Sequence, residues 1–390
     1  MLKGIKLIKY NVLNSFLEKK KPFPIYSNVV NSFTNTSIYK AKAANIDSDK
    51  NIYCISDFPD YLKAELNNKN WKAKRINTFK GSLIFFKNHE NTQQYLKTKF
   101  NTPKRFRIYQ SKLENCFNIE YKSFYGEISK KEYDFLFDAF YKMLKKRFSE
   151  KQIKNTDLDR WDTYKEIAYP LINSKDAVLF VIYDNEKPIS LYLNLIQNKT
   201  IYGYIKTYDI DYSKFSVGFT NFIQQLRWCF ENGFEVYDLL KGNYPYKNKL
   251  IDTEFYYQKH VIYNSKSLFA VICANIIIAK TQVFYALVNG LKKFNVDVLY
   301  HSITSFIHKL NTRETKENLI IVNNIELTTT DKLCKIDITD ESFSFLKRAV
   351  YTFLYHNKES LKTVEIFKFK NKLNTFFIKG KKKNQKIEIK

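Results

Sequence analysis

Two groups of residues between Thr200 and Tyr263 are of types that could do chemistry. The first is Asp238, set in the otherwise apolar run from Glu235 to Leu240, with Gly242, Tyr246 and Lys247 following within a few positions. A carboxylate in an apolar run needs a partner or a task. Brought together at the C-terminal end of a strand, Asp238 and Lys247 can form an ion pair, polarise a carbonyl or take a proton. The second group is Ser216 and Gly218, which stand at the head of a helical pattern. Ser216 suits the N-cap, and Gly218 lets a ligand approach the backbone closely. The first N–H groups of such a helix point outward with the positive end of its dipole behind them, which makes an anion site. The dipole alone contributes only ~0.3–1 kcal/mol, so N–H hydrogen bonds must carry most of the binding. An ordinary capped helix and a structural ion pair would use the same residues.

These side chains need elements to hold them. TIYGYIKTY, from Thr200, is rich in β-branched and aromatic residues and predicts a strand with a bulge at Gly203. Phe219, Phe222, Ile223, Leu226 and Phe230 recur at helical spacing, and Asn232-Gly233 ends that helix with a glycine suited to the left-handed C′ position. Upstream, Ser129 and Glu132 form a capping box for an amphipathic helix whose face is Tyr133, Leu136, Phe137, Phe140 and Leu144. Arg147 closes it, either as a helix-end cation or as a contact to an acidic substrate. Strands over 177–184 and 189–196 predict a hairpin.

The flanks are less specific. Residues 1–22 read as a basic lead-in with one short helix, and 23–125 as alternating strands and helices, with FPDYLKAELNNK as a helix. Over 267–291, Leu268, Ile272, Ile276, Ala279, Val283, Leu287 and Leu291 repeat at helical spacing. The stretch is long enough to span a bilayer, yet Lys280 stands near its middle; the expectation is a helix packed on the protein by that apolar line, with a membrane span, an interfacial helix and a partner-binding helix as the alternatives. Residues 317–390 predict a small α+β tail with a basic tip.

The 390 residues carry a net charge of +26, which favours nucleic acid, anionic lipid or acidic glycans as partners. Only eight of the 65 basic residues are arginine, the better bidentate reader of phosphate and bases. No zinc-finger, helix-turn-helix or RNP-like pattern occurs, so no dedicated nucleic-acid binding is expected. The five cysteines are odd in number, far apart and without metal-ligand spacing. They read as reduced, mostly buried thiols, no metal is expected, and His260 reads as structural. MLKGIKLIKYNVLNSF lacks a long apolar signal region, so a cytoplasmic protein is expected, with peripheral contact to an anionic inner membrane allowed.

Residues 133–263 resemble the GNAT acyltransferase superfamily, and within it the CelD-type (GNAT-6) branch of exopolysaccharide and cellulose-biosynthesis loci. FYKMLKKRF (140–148), VLFVIYDNEKPISLYLNL (178–195), YIKTYDIDYSKFSVG (204–218) and ENGFEVYDLLKGNYPYK (231–247) carry the resemblance. The Tyr-Lys region is also similar to Fem peptidyltransferases, which use aminoacyl-tRNA. Where a GNAT pyrophosphate loop reads roughly Q/R-x-x-G-x-G/A, KFSVG has one glycine and no arginine. The resemblance implies an α/β fold of tandem GNAT-like mixed-sheet modules with a C-terminal α+β extension. The modules would be a degenerate one over 1–125, a catalytic one over 126–265, a helical segment over 266–316 and the tail over 317–390. It implies acyl transfer from acetyl-CoA or another acyl-CoA to an amino-sugar or polysaccharide-precursor acceptor, a small molecule or glycan. Lys214, Ser216, Val217 and Gly218 would hold the pyrophosphate, and Asp238 would orient or deprotonate the acceptor. Lys247 would stabilise charge on the thioester oxygen or on acceptor phosphates. Tyr208 and Tyr246 would protonate the leaving thiolate, while Arg147 and Asp209 would contact the acceptor. A Fem-like aminoacyl-tRNA-dependent transferase and a non-catalytic GNAT-fold scaffold are the alternatives.

Overall fold

The computed structural model describes residues 6–41, 51–153, 155–242, 247–293, 319–323 and 332–389. Strands from both halves of the chain join in one mixed sheet. The N-terminal half supplies β1 (Lys6–Asn11), β4 (Asn51–Pro59) and β6 (Trp71–Phe85). A separate antiparallel sheet holds β2 (Tyr26–Asn31), β3 (Thr36–Lys40) and β5 (Leu62–Leu66). The helices α1 (Thr92–Lys99) and α2 (Lys104–Cys116) lead to β7 (Ile119–Phe124). Then come α3 (Lys130–Lys151), α4 (Trp161–Asn173) and the meander β8 (Ala177–Asp184), β9 (Lys187–Gln197) and β10 (Thr200–Tyr208). The helix α5 (Val217–Glu231), β11 (Val236–Lys241), β12 (Thr253–Asn264) and α6 (Leu268–Lys293) follow.

The nine strands of the large sheet lie in the order β1-β4-β12-β6-β11-β10-β9-β8-β7. Only β1/β4 and β10/β11 are parallel neighbours. Both β8 and β9 are buried along almost their whole length, as strands covered on both faces must be. One face carries α3, α4, the three-stranded sheet and a π-helical segment, Val12–Glu18, over the largest apolar core. The other carries α1, α2 and α5 over the second half of the sheet and α6 over β4, β6 and β12. The C-terminal part contributes β13 (Leu319–Asn323), β14 (Leu333–Lys335), α7 (Lys347–Asn357), β15 (Glu365–Phe369), β16 (Thr375–Lys379) and β17 (Asn384–Ile389). Its five-stranded sheet, order β13-β17-β16-β15-β14, and α7 share a core with α2 and with Tyr212 and Phe215.

Local signals reappear as read. The side chain of Ser129 accepts from the Glu132 N–H at 3.2 Å, and Gly233 follows α5 at φ 68°. The pairing of β10 with β9 shifts register between Gly203 and Ile205. Other expectations are corrected. The N-terminal lead-in has its short helix, of π type, but a strand precedes it, and FPDYLKAELNNK ends β4 and forms β5. There Leu62, Ala64 and Leu66 alternate with Lys63 and Glu65, a period of two that pairing with β2 rewards. The division at 125 does not separate bodies in space. β7 precedes it yet pairs with β8, and Phe100 and Phe106 of the first segment pack on Phe219 of α5. β12, from the second segment, pairs with both β4 and β6.

The helix over 267–291 forms, but its apolar line points outward. Leu268, Ile276, Val283 and Leu287 are 76, 46, 60 and 63% exposed. The smaller Ala270, Cys273, Ala274 and Thr281, with Ile278, face the sheet instead. Helical spacing defines a line of residues, and small side chains let the backbone approach the sheet more closely from the other side.

Candidate functional site

The site begins where β10 and β11 part. They pair through Thr200/Val236, Ile201/Tyr237 and Tyr202/Asp238 and then diverge. Each strand is irregular at that level: β10 bulges after Gly203, and the register of β11 against β6 shifts between Asp238 and Lys241. Leu240 takes a left-handed conformation, φ 56°, to make the second bulge. Such irregularities re-aim side chains and end pairing. At the resulting slot two cavities meet along shared lining residues. One, of about 340 Å³, lies against the start of α5. The other, of about 760 Å³, lies against α3 and the π-helical segment. Arg147, Tyr204, Lys206, Leu239 and Lys247 line both.

Lys247, in the short 3-10 turn Lys247–Lys249, is 5% exposed. Its ammonium donates to the carbonyls of Leu239 at 2.8 Å and Lys241 at 3.1 Å. Burial, with the charge of Lys206 nearby, brings its pKa down to about 8, against the opposing pull of Asp238. Its ammonium therefore stands at the junction of the cavities.

Asp238 is fully buried and lines neither cavity. Its Oδ2 accepts from the Tyr61 hydroxyl at 2.8 Å and its Oδ1 from the Leu240 N–H at 2.7 Å. Burial pushes its carboxyl up to about 7 in spite of these bonds and of Lys247. The expectation that Asp238 reaches the acceptor is therefore corrected. Its carboxylate instead holds the bulge whose Leu239 and Lys241 carbonyls meet Lys247.

At the other end of the slot, Ser216 occupies the N-cap position of α5 but in the left-handed region, φ 52°, and its side chain makes no capping bond among the described residues. Gly218 has a different reason from the one expected. A Cβ there would lie 2.8 Å from Cδ1 of Tyr208 and 3.3 Å from Oη of Tyr192, whose hydroxyl donates to the Gly218 carbonyl at 2.8 Å. The glycine makes room for two tyrosines. Tyr208 in turn carries the Arg147 guanidinium 4.4 Å from its ring centre, and Arg147 Nε is buried without a hydrogen-bond partner among the described residues. Ser213, Ser216, Gly218 and Phe219 face the smaller cavity. The Val217 side chain is fully buried, leaving only its backbone to a ligand, and Lys214 is exposed outside the cavity lining.

Asp209 stands apart from the slot. It is buried, meets Lys187 at 2.6 Å and Lys146 at 3.7 Å, and accepts from the Asp211 N–H as cap of the turn Ile210–Phe215. Burial opposes its ionisation, but these partners hold it below the usual carboxylate range. Its expected contact with the acceptor is corrected to a structural ion pair. Tyr246 lies outside the described residues. His260 is a core residue, 2.6 Å from the Tyr26 hydroxyl, and burial lowers its pKa to about 3. Among the described residues no group of three or more His, Cys, Asp or Glu is placed to hold a metal.

Sequence reasoning passed over Lys206 and Tyr192 in the slot and Glu18 at its rim. Lys206 is the one charged residue in TIYGYIKTY, which was a usable signal. Glu18, fully buried, accepts from Arg160 at 2.8 Å and from the Tyr204 hydroxyl at 2.7 Å, and so ties the π-helical segment to the edge of the larger cavity. Nothing local in VLNSFLE announces that role.

Residues 124–248 match the family model described as an acetyltransferase (GNAT) domain. The match runs from the end of β7 to just past Lys247, so it contains α3 to α5, β8 to β11 and the slot. The chain thus carries a domain of the GNAT superfamily. Among solved structures it is similar to a conserved protein of unknown function from Bacteroides thetaiotaomicron, at 10% identity over 55% of this chain and 70% of that one, with a TM-score of 0.38. It is similar to FemX at 11% identity, over 57% and 74% of the two chains, TM-score 0.38. The C-terminal domain of a putative lysylphosphatidylglycerol synthetase from Agrobacterium fabrum follows at 9%, over 60% and 72%, TM-score 0.35. No curated protein matches the sequence.

Proposed function

We propose that the protein is an acyl-CoA-dependent N-acyltransferase whose donor enters from the α5 side and whose acceptor enters from the larger cavity. The observation that carries this reading is Lys247, a buried ammonium lining both cavities where they meet. The donor supplies an activated thioester carbonyl. The first N–H groups of α5, with Ser213 and Ser216, face the space where its phosphates would lie. Lys247 sets its positive charge beside the carbonyl oxygen as negative charge grows there, a contribution of ~3–4 kcal/mol for a well-placed cation. The attacking amine loses its proton to water in the slot, and the Tyr208 hydroxyl is the candidate donor to the departing thiolate. Asp238 acts through Lys247, by holding the bulge and by its charge.

The acceptor side is cationic. Arg147, Lys151 and Lys206 line the larger cavity, against Asp157 and the paired Lys241 and Asp57. That supports an acceptor bearing phosphate, such as an amino-sugar nucleotide or a lipid-linked saccharide precursor. One observation favours a second reading, an aminoacyl-tRNA donor as in Fem-like transferases: Tyr208 narrows the approach to the backbone at Gly218, where a pyrophosphate would need room.

A thermal-shift series with acetyl-CoA, longer acyl-CoAs and free CoA tests the donor. Ligand at about 100 times Kd should add ~2.7 kcal/mol of stability. No shift with any of them, together with a shift on adding aminoacyl-tRNA, would replace the first reading by the second. No shift with either would leave a non-catalytic scaffold.

A further inference from the structure

The outer side of α6 is an apolar surface that the described residues leave uncovered. Leu268, Phe269, Ile276, Val283, Phe284 and Leu287 are 41 to 76% exposed along it. The helix does not hang free. Its inner side is committed to Ile52, Cys54, Ile76 and Val261 of the large sheet, so it lies flat on β4, β6 and β12. A helix held in this way presents one long side to whatever lies outside.

The charges around it say what that is. Strand pairing puts Lys9 beside Cys54, Lys74 beside Val261 and Lys72 beside Tyr263, so these three lysines point to the same face as α6. The Lys259 ammonium donates to Thr281 Oγ1 on the helix at 3.1 Å, and Lys280 is exposed on the helix itself. Leu268–Lys293 contains no Asp or Glu, and neither do these strand positions. An apolar stripe bordered by cations matches a surface that is apolar beneath an anionic layer. A second copy of this face would set the same lysines against one another, which disfavours a symmetric pair.

We propose that α6 is an in-plane membrane anchor, with its outer side seated at the headgroup–acyl boundary of an anionic bilayer. The proposal is independent of the acyl-transfer reading. At one point α6 comes near the larger cavity, which opens on the opposite face of the sheet: Tyr285 packs edge-on against Phe79 at 5.4 Å, and the ammonium of Lys241, which lines that cavity, lies 5.4 Å from the Phe79 ring centre.

The test is vesicle co-sedimentation of the full chain, with phosphatidylcholine alone and with phosphatidylcholine containing phosphatidylglycerol. Binding should be at least ~10-fold tighter to the anionic vesicles and weaker in high salt. Ile276→Glu with Val283→Glu should reduce it ~10-fold or more with unchanged circular dichroism, because both positions are exposed. A Val283→Trp variant should blue-shift on anionic vesicles and be quenched more by shallow than by deep brominated lipids. Failure to sediment, or equal binding by the Glu variant, overturns the proposal. So does deep quenching with resistance to carbonate extraction, which would mean a span. A dimer that the Glu variant dissociates would make this face a self-interface, and Trp emission already blue in buffer would mean that another part of the chain covers it.

Discussion

If Lys247 acts as a cation, its loss of a proton should set the alkaline limb of kcat/KM. Burial and Lys206 place its pKa at about 8, so activity is fully present below that pH and falls as pH rises through it. Two neighbours move the limb in opposite directions. Asp238→Asn removes a negative charge that favours the ammonium, so the limb should move to lower pH. Lys206→Met removes a like charge, so it should move to higher pH. At an effective dielectric of ~20–40, a unit charge near enough to perturb a neighbouring ammonium is worth ~1–2 kcal/mol, or about one pH unit. Burial, with Arg147 nearby, lowers Lys206 to about 8 as well, so it is only partly charged where Lys247 titrates and its effect should be the smaller, about half a unit. Lys247→Met should abolish the limb and lower kcat by ~100- to 1,000-fold with the donor Kd nearly unchanged. The assay is initial thiol release from acetyl-CoA with an amino-sugar phosphate, followed across pH in all four proteins. A limb that stays fixed in both neighbour variants refutes the electrostatic account. Activity that instead rises through pH 8 would mean that Lys247 works as a base.

Three further outcomes follow from the geometry. Asp238→Asn should gain ~2–3 kcal/mol of stability relative to wild type between pH 5 and 8. The wild-type carboxyl, at about 7 when folded against 3.8 ordinarily, binds more protons folded than unfolded in that window, so wild-type stability falls as pH rises; urea unfolding at the two pH values measures it. His260 has the opposite sign. Its folded pKa of about 3 lies below 6.5, so it contributes stability above pH 6.5 that is lost on acidification, and His260→Gln should flatten that slope in thermal melts. Gly218→Val should displace Tyr208 and its contact with Arg147, at a cost of ~1–3 kcal/mol in stability and a weaker CoA affinity by calorimetry; unchanged affinity in a folded variant would put the donor elsewhere.

Some of this protein was decided by short stretches of chain. Ser129 and Glu132 begin α3, Gly233 ends α5, Gly203 breaks the register of β10, and β8 and β9 are joined as a hairpin. Each depends on residues within a turn or two of one another, and backbone sterics and hydrogen bonding act at that range. The run from Glu235 to Lys247 also marked its own region as unusual, because charged residues rarely sit in apolar strands without a reason. Which way those residues face was another matter. Two bulges at one level of neighbouring strands turn Asp238 into the protein and present the Leu239 and Lys241 carbonyls that hold Lys247, and in a strand a shift of one residue exchanges the faces. The insertion of β12 between β4 and β6, the Tyr208 ring where Gly218 lacks a Cβ, and Glu18 beneath Tyr204 depend on partners far apart in the chain. The spacing of Leu268, Ile276, Val283 and Leu287 showed that one side of α6 is apolar. Only the packing of Ala270, Cys273 and Ala274 against the sheet decided that this side points outward, because periodicity defines a face and tertiary contact chooses what it meets.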